Sequence, residues 1–278
     1  VPVVVHTVHG MSFNRTQPAV VQLVYRLLER RAARQTSGFV SVADAMTTQC
    51  VAAGIAPAER FVTIRSGMQT DSFTPDEHTR RAVRAAWSVA DDEVVVMTVA
   101  RLFRNKGYEE LIEALPRAVS AADNLRFVWV GDGADRTRYE RALEGLGLRD
   151  RVRLEGLVPP TEVARLLNGA DILAHASRWE GLPRAVVQGL LMRVPAVAFD
   201  NDGSPEVVVT GETGVLVPLG DTAGLADAMI RLAQQPELRQ RCGEVGRRRC
   251  LAAFDWRTMV AGLEAYYHLL SGPVGRRS

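Results

Sequence analysis

Residues 93–131 read EVVVMTVARLFRNKGYEELIEALPRAVSAADNLRFVWVG. Two β-rich runs, EVVVMTVA and LRFVWVG, flank the helical stretch GYEELIEALPRAVSA. Strands separated by a helix of this length form a βαβ unit, whose strands run parallel. The pattern continues through RVRLEGLV (151–158), DILAHAS (171–177) and VPAVAFD (194–200), with ADRTRYERALEGLG (134–147) and PTEVARLLNGA (160–170) as helices between them. Residues 91–256 are therefore expected to form one doubly wound α/β domain, a parallel sheet with helices on both faces.

Working outward, VPVVVHTV (1–8), GFVSVA (38–43) and RFVTIRSG (60–67) alternate with the helix QPAVVQLVYRLLERRAAR and the shorter DAMTTQCVAAG. This is the same architecture in part, so residues 1–90 are expected to be a partial N-terminal domain of the same Rossmann-like kind. The charged segment DSFTPDEHTRRAVRAAWSVADDE (71–93) has no strand signal and is taken as the junction. FDWRTMVAGLEAYYHLL (254–270) is amphipathic at helical period, so residues 257–278 are read as a terminal helix and tail. The chain enters an apolar, β-branched strand within five residues of Val1, and such strands have neighbours on both sides in parallel sheets. Further sequence upstream of Val1 is the expectation.

Composition narrows the partners. A formal charge of +2, with 47% hydrophobic and 24% charged residues, describes an ordinary globular chain with no footprint for nucleic acid. The three cysteines, Cys50, Cys242 and Cys250, have neither zinc nor disulfide spacing and are read as reduced, in a cytoplasmic setting. No apolar run is long enough to span a bilayer, and no signal peptide is recognised. Arg26, Arg30, Arg31 and Arg34 gather on one helix and admit peripheral contact with anionic lipid, although a solvated face containing Glu29 explains them more simply.

In open α/β sheets ligands bind beyond the carboxyl ends of the strands. Three loops there carry unusual chemistry. In RLFRNKG, Arg101 and Lys106 could converge on an anion, and Lys106 is the single lysine of the chain. In GDGAD, Gly131 and Gly133 permit close backbone approach to a ligand, though a plain tight turn fits equally well. In SRWEGLPRAVVQ, Glu180 and Gly181 precede Leu182 and Pro183, the latter read at the first position of a helix that carries Gln188 eight residues after Glu180. An acid at a helix mouth beside exposed amides suits sugar hydroxyls and phosphate together. The segment DND (200–202) is read as a loop rather than a metal site.

These motifs in this order, with VPAVAFDNDGSPEVVVTGETGVLVP after them and VVVHTVHG and RSGMQTDSFTP before them, resemble glycosyltransferase family 4, retaining enzymes of the GT-B fold. The resemblance implies two Rossmann-like domains, the N-terminal one incomplete here, and transfer of a sugar from a nucleoside-diphosphate donor to a hydroxyl acceptor, saccharide or lipid-linked. It implies no cofactor and no essential metal. By position, Arg101 and Lys106 match the basic pair that holds the diphosphate, and Glu180 matches the first acid of the E-x7-E motif, which contacts the donor sugar. Gly131, Gly133, Gly181, Leu182 and Pro183 belong to the donor loops, and His9 matches the histidine beside the reacting sugar. Gln188 replaces the second acid, the ribose ligand, at an expected cost of about 1 kcal/mol, roughly tenfold or less in donor affinity. Two further readings are a nucleotide-sugar binding module without turnover and a sugar-nucleotide epimerase of the same fold; the RNKG and E-x7-Q loops argue against the epimerase.

Overall fold

The structure is a computed structural model and describes residues 3–14 and 17–272; Val1 and Pro2 of the first strand-like run fall outside them. The chain divides into two compact units. The first comprises Val1–Met68, Glu180–Leu182 and Ala253–Ser278, and the second Gln69–Trp179 and Pro183–Ala252.

In the first unit, β1 (Val5–Val8), α1 (Ala19–Ala33), β2 (Gly38–Ser41), α2 (Asp44–Ala52) and β3 (Phe61–Thr63) follow one another. The strands form a parallel sheet in the order β1-β2-β3, with Val5 opposite Gly38 and Phe39 opposite Phe61. Among the described residues β1 is thus an edge strand, paired on one side by β2. Central β2 is buried throughout.

Helix α1 is inverted relative to the usual amphipathic arrangement. Its inward residues are polar: the Arg26 guanidinium lies 5.6 Å from the Phe13 ring centroid, Glu29 is 4.0 Å from Nδ1 of His6, and Ala33 is the one buried member. Val20, Leu23, Val24, Leu27 and Leu28 are 49–71% exposed. The solvated arginine face expected from sequence is therefore partly an inner face, and the outer surface is largely aliphatic.

The second unit opens with α3 (Glu77–Ala86) and continues with β4 (Val94–Val99), α4 (Tyr108–Ala121), β5 (Leu125–Val130), α5 (Arg136–Gly145), β6 (Val152–Gly156), α6 (Pro160–Leu167) and β7 (Ile172–His175). After the interruption at residues 180–182 come α7 (Arg184–Leu191), β8 (Ala196–Phe199), β9 (Gly214–Val217), α8 (Thr222–Gln234) and α9 (Pro236–Ala253). All six strands are parallel, in the order β6-β5-β4-β7-β8-β9. The apolar run Val94–Met97 is buried on both faces, as a central strand of such a sheet requires. On one side, Tyr108, Leu111 and Leu115 of α4 and Leu225, Met229 and Leu232 of α8 pack with Phe127, Trp129 and Phe199.

The boundary of this unit differs from the junction read in the sequence. Helix α3 belongs with the sheet: Arg80 and Arg84 donate to the Asp171 carboxylate at 2.7 and 2.9 Å, and Asp171 also accepts from the Val95 amide at 2.8 Å. Helix α10 (Trp256–Ser271) is grouped with the first unit rather than standing alone; there Trp256 N–H donates to Met68 O at 3.0 Å and Met68 N–H to Phe254 O at 2.7 Å. Strand β9, four residues long, has no counterpart among the runs read from sequence.

Candidate active site

In the strand order of the second unit, the chain leaves β4 toward β5 on one side and leaves β7 toward β8 on the other. The carboxyl ends of β4 and β7 therefore bound the crevice where the strand order reverses, the general ligand position of such sheets. Lys106 ends a short 3-10 turn, Arg104–Lys106, in the β4 loop. Its Nζ lies 3.5 Å from the Ser177 hydroxyl, in the β7 loop.

Backbone contacts hold these loops against one another. Leu102 N–H donates to Asp132 O at 3.1 Å and Asp135 N–H to Leu102 O at 3.1 Å, joining the β4 and β5 loops. Arg178 N–H donates to Asn105 O at 3.0 Å, and Asn201 Nδ2 donates to Ser177 O at 3.2 Å, extending the lacing through the β7 and β8 loops. A Cβ at Gly107, where φ is 75°, would lie 1.7 Å from Ala176 O. At Gly131 it would meet Ala100 O at 2.0 Å, and at Gly133 Leu102 O at 2.5 Å.

At Gly131 and Gly133 the backbone that comes close is that of the β4 loop. The space that lacks a side chain at 131 and 133 is filled by a neighbouring loop. Their amides are engaged as well: Gly131 N–H donates to Gly156 O at 2.8 Å and Gly133 N–H to Asp132 Oδ1 at 2.8 Å. They shape the rim.

Arg101 is exposed, with its guanidinium 4.9 Å from the Phe103 ring centroid. Below the rim, buried Tyr108 donates to Ala100 O at 2.9 Å and stacks on Tyr139 at 5.2 Å between centroids. Burial pushes its phenol pKa upward, so it acts as a neutral hydrogen-bond donor under the loop. Pro183 is the N-cap of α7, one residue before the helix begins, and its carbonyl accepts from Val186 and Val187 at 3.0 and 3.2 Å. This moves it from the first helical position expected from sequence. Gln188 lies in the second turn of α7 and is partly buried.

In the first unit, His9 lies just beyond the end of β1 and is exposed, while His6 lies within β1 with its ring 5.6 Å from Phe39. A Cβ at Gly181 would lie 1.9 Å from the carbonyl oxygen of His9, so glycine is required there for close backbone approach. Leu182 is buried and Glu180 is partly buried. The expected site residues thus form two sets: Arg101, Lys106, Gly131, Gly133, Pro183 and Gln188 in the second unit, and His9, Glu180, Gly181 and Leu182 in the first.

Sequence reasoning missed Ser177, Asn201 and Glu110. Ser177 is 1% exposed and Glu110 3%. Asn201 Oδ1 and Ser204 Oγ are buried without a protein partner among the described residues. The available signal for Ser177 is its position directly after β7, at the switch point. Among the described residues no group of three or more His, Cys, Asp and Glu is arranged to hold a metal ion, and no helix is long and apolar enough to cross a membrane.

A doubly wound domain with a lysine held in glycine-shaped loops at its switch point has the architecture of the α/β sheets that take ligands beyond their strand ends. Its fold is that of the GT-B glycosyltransferases. Anabaena HepE in complex with UDP-glucose superimposes with a TM-score of 0.86 at 23% identity, over 95% of this chain and 72% of that one. Sucrose-phosphate synthase of Thermosynechococcus elongatus gives a TM-score of 0.84 at 23% identity, over 96% and 67%.

Residues 79–249 match the family model described as glycosyl transferases group 1, and the chain belongs to that family. It is 30% identical over 250 residues to the alpha-D-kanosaminyltransferase of Streptomyces kanamyceticus, covering 88% of this chain and 64% of that protein. It is 28% identical over 276 residues to the GDP-mannose-dependent alpha-(1-6)-phosphatidylinositol monomannoside mannosyltransferase of Mycolicibacterium smegmatis, covering 97% and 70%. The chain thus spans less than two thirds of the length of the kanosaminyltransferase.

Proposed function

We propose that the chain is the donor-binding part of a retaining glycosyltransferase of family 4, which moves a hexosyl group from a nucleoside-diphosphate sugar to a hydroxyl acceptor. The observation that carries this reading is Lys106, held in the laced loops at the switch point. When the bond between the anomeric carbon and the diphosphate breaks, its electron pair stays on the leaving oxygen as the sugar becomes oxocarbenium-like. The acceptor oxygen then bonds to that carbon with configuration retained, and its hydroxyl proton passes to the leaving diphosphate oxygen. A fixed cation beside the leaving oxygens stabilises this transition state more than the ground state. Lys106 is given that part, with the exposed Arg101 as the second cation. In this reading Glu180 and the peptide Gly181–Leu182 take the donor sugar, Gln188 the ribose, and His9 the reacting end of the sugar. Charge neutralisation rests on the basic pair, so no essential metal is required.

Related proteins support a nucleotide sugar as donor: HepE forms a complex with UDP-glucose, and the mycobacterial relative is GDP-mannose-dependent. The latter's name also makes a lipid-linked acceptor a candidate class, beside a saccharide. A second reading, binding without turnover, is favoured by Gln188 in place of an acid. Calorimetric titration with UDP, GDP and ADP, followed by a product assay with the matching nucleotide sugars, tests both. Binding of none of the three overturns the proposal; binding without product, in a protein of its relatives' full length, favours the second reading.

A further inference from the structure

Glu110 presents a problem that the proposed chemistry does not solve. It lies in the first turn of α4, is 3% exposed, and has fully buried Tyr108 and Leu111 as neighbours. One carboxylate oxygen accepts from Nε of Arg178, and the other has no protein partner among the described residues. A carboxylate taken out of water is costly unless well paired, and beside a site for a polyanion it repels the ligand. A residue with both faults has to be compensated by some structural use.

The contacts of Arg178 supply that use. Its side chain is tied to Glu110 on α4, while its backbone N–H donates to Asn105 O, the residue immediately before Lys106. Ser177 Oγ reaches the same Asn105 carbonyl at 3.3 Å and Trp179 O at 3.2 Å. With its proton on either carbonyl, the hydroxyl turns a lone pair to Lys106 Nζ, 3.5 Å away. The β7 loop is thereby fixed at both ends of a short path, to α4 by an ion pair and to the lysine turn by hydrogen bonds.

We propose that Glu110 is a positioning residue for Lys106, acting through Arg178 and Ser177. This rests on the diphosphate reading, and its sign separates it from simple electrostatics. Removing a negative charge near an anion site tightens anion binding if charge alone matters. If the carboxylate positions the lysine, Glu110→Gln weakens binding despite the lost repulsion.

Lys106 is the single lysine of the chain, so protein grown with labelled lysine gives one side-chain ammonium signal in NMR. That signal is expected to move and broaden in Glu110→Gln and in Ser177→Ala, without ligand. Binding of UDP or GDP, whichever the wild-type chain prefers, is expected to weaken roughly two- to tenfold in Glu110→Gln, the range of one neutral hydrogen bond. In a Lys106→Ala background the same substitution should no longer weaken binding, leaving only the relief of repulsion, since the positioning passes through the lysine. Equal or tighter binding by Glu110→Gln, or an unmoved lysine signal, overturns the proposal while leaving the diphosphate reading intact. If the wild-type chain binds no nucleotide, the diphosphate reading fails and the lysine signal alone decides the positioning. Should Glu110→Gln fail to fold, Arg178→Gln, at a half-exposed position, makes the test through the lysine signal alone, since losing a cation weakens anion binding by charge alone; an unmoved signal overturns the proposal.

Discussion

Lys106 Nζ and Ser177 Oγ, 71 residues apart in sequence, lie 3.5 Å apart across the switch point of the sheet. The lysine is thus aimed by a neighbouring strand's loop. Lys106→Ala and Arg101→Ala, in a protein of the relatives' full length, are each expected to lower turnover by about 10²-fold or more, the scale of losing one transition-state donor. Steady-state kinetics check this; wild-type rates in both variants would remove the basic pair from the mechanism. Lys106→Arg should also be impaired, because a planar guanidinium does not fit a place shaped for a compact ammonium.

Gln188→Glu is expected to tighten donor binding by about tenfold or less while leaving the product unchanged, since a charged acceptor strengthens a hydrogen bond to a ribose hydroxyl. Competition calorimetry with the nucleoside diphosphate measures it. Weaker binding would place the ribose contact elsewhere.

Gly107→Ala puts a methyl group 1.7 Å from Ala176 O at a φ of 75°. Left-handed backbone and overlap together are expected to cost about 2 kcal/mol or more. A urea melt followed by tryptophan fluorescence shows it as a lower midpoint. An unchanged midpoint would mean that the two loops separate easily, against the lacing described above.

How much of this was legible in the sequence depends on the range of the forces involved. Strands β4, β5, β7 and β8 declare themselves because each is an apolar run between turn residues, and burial on both faces makes that pattern local. Strand β9 does not, because GVLV lies at the sheet edge, only partly buried, directly after a turn-rich segment. The orientation of α1 was hidden for a different reason: periodicity shows that two faces exist, and the apolar one is assumed to turn inward. Here Gln22, Arg26 and Glu29 turn in instead. Within the site, Lys106 and the glycines could be read from composition and position. Glu110 and Ser177 could not, because their partners are 68 and 71 residues away along the chain.

Burial holds the thiols of Cys50 and Cys250 up to about 12, and raises that of Cys242. All three should react with an aromatic disulfide at pH 8 only after unfolding. Because the folded values lie above the unfolded 9.0, the stabilisation from neutral thiols is complete below pH 9 and is lost as pH rises toward 12. Thermal midpoints recorded from pH 8 to 11 should therefore fall, and fall less in a Cys50→Ala variant. Rapid labelling of all three thiols in the folded protein would contradict the burial.

The exposed aliphatic face of α1 predicts concentration-dependent self-association of this chain, since contiguous apolar surface of this kind seeks cover. Sedimentation velocity should show heavier species as concentration rises. Leu23→Ser with Leu27→Ser should return the chain toward monomer, with little effect on folding because both side chains are more than half exposed.

The Asp171 carboxylate governs how the molecule can be dissected. Arg80 and Arg84 of α3 reach it, and Asp171 itself joins the start of β7 to β4 through the Val95 amide. A recombinant second unit begun at residue 91, where the strands start, would keep the buried acid and discard both of its cations. Losing both ion pairs, together with the buried side chains of Val83 and Trp87 that pack over Gly169, is expected to destabilise that unit. Begun near Gln69, the same unit retains α3 and its ion pairs. Limited proteolysis should accordingly leave Glu77–Ala86 attached to the six-stranded sheet.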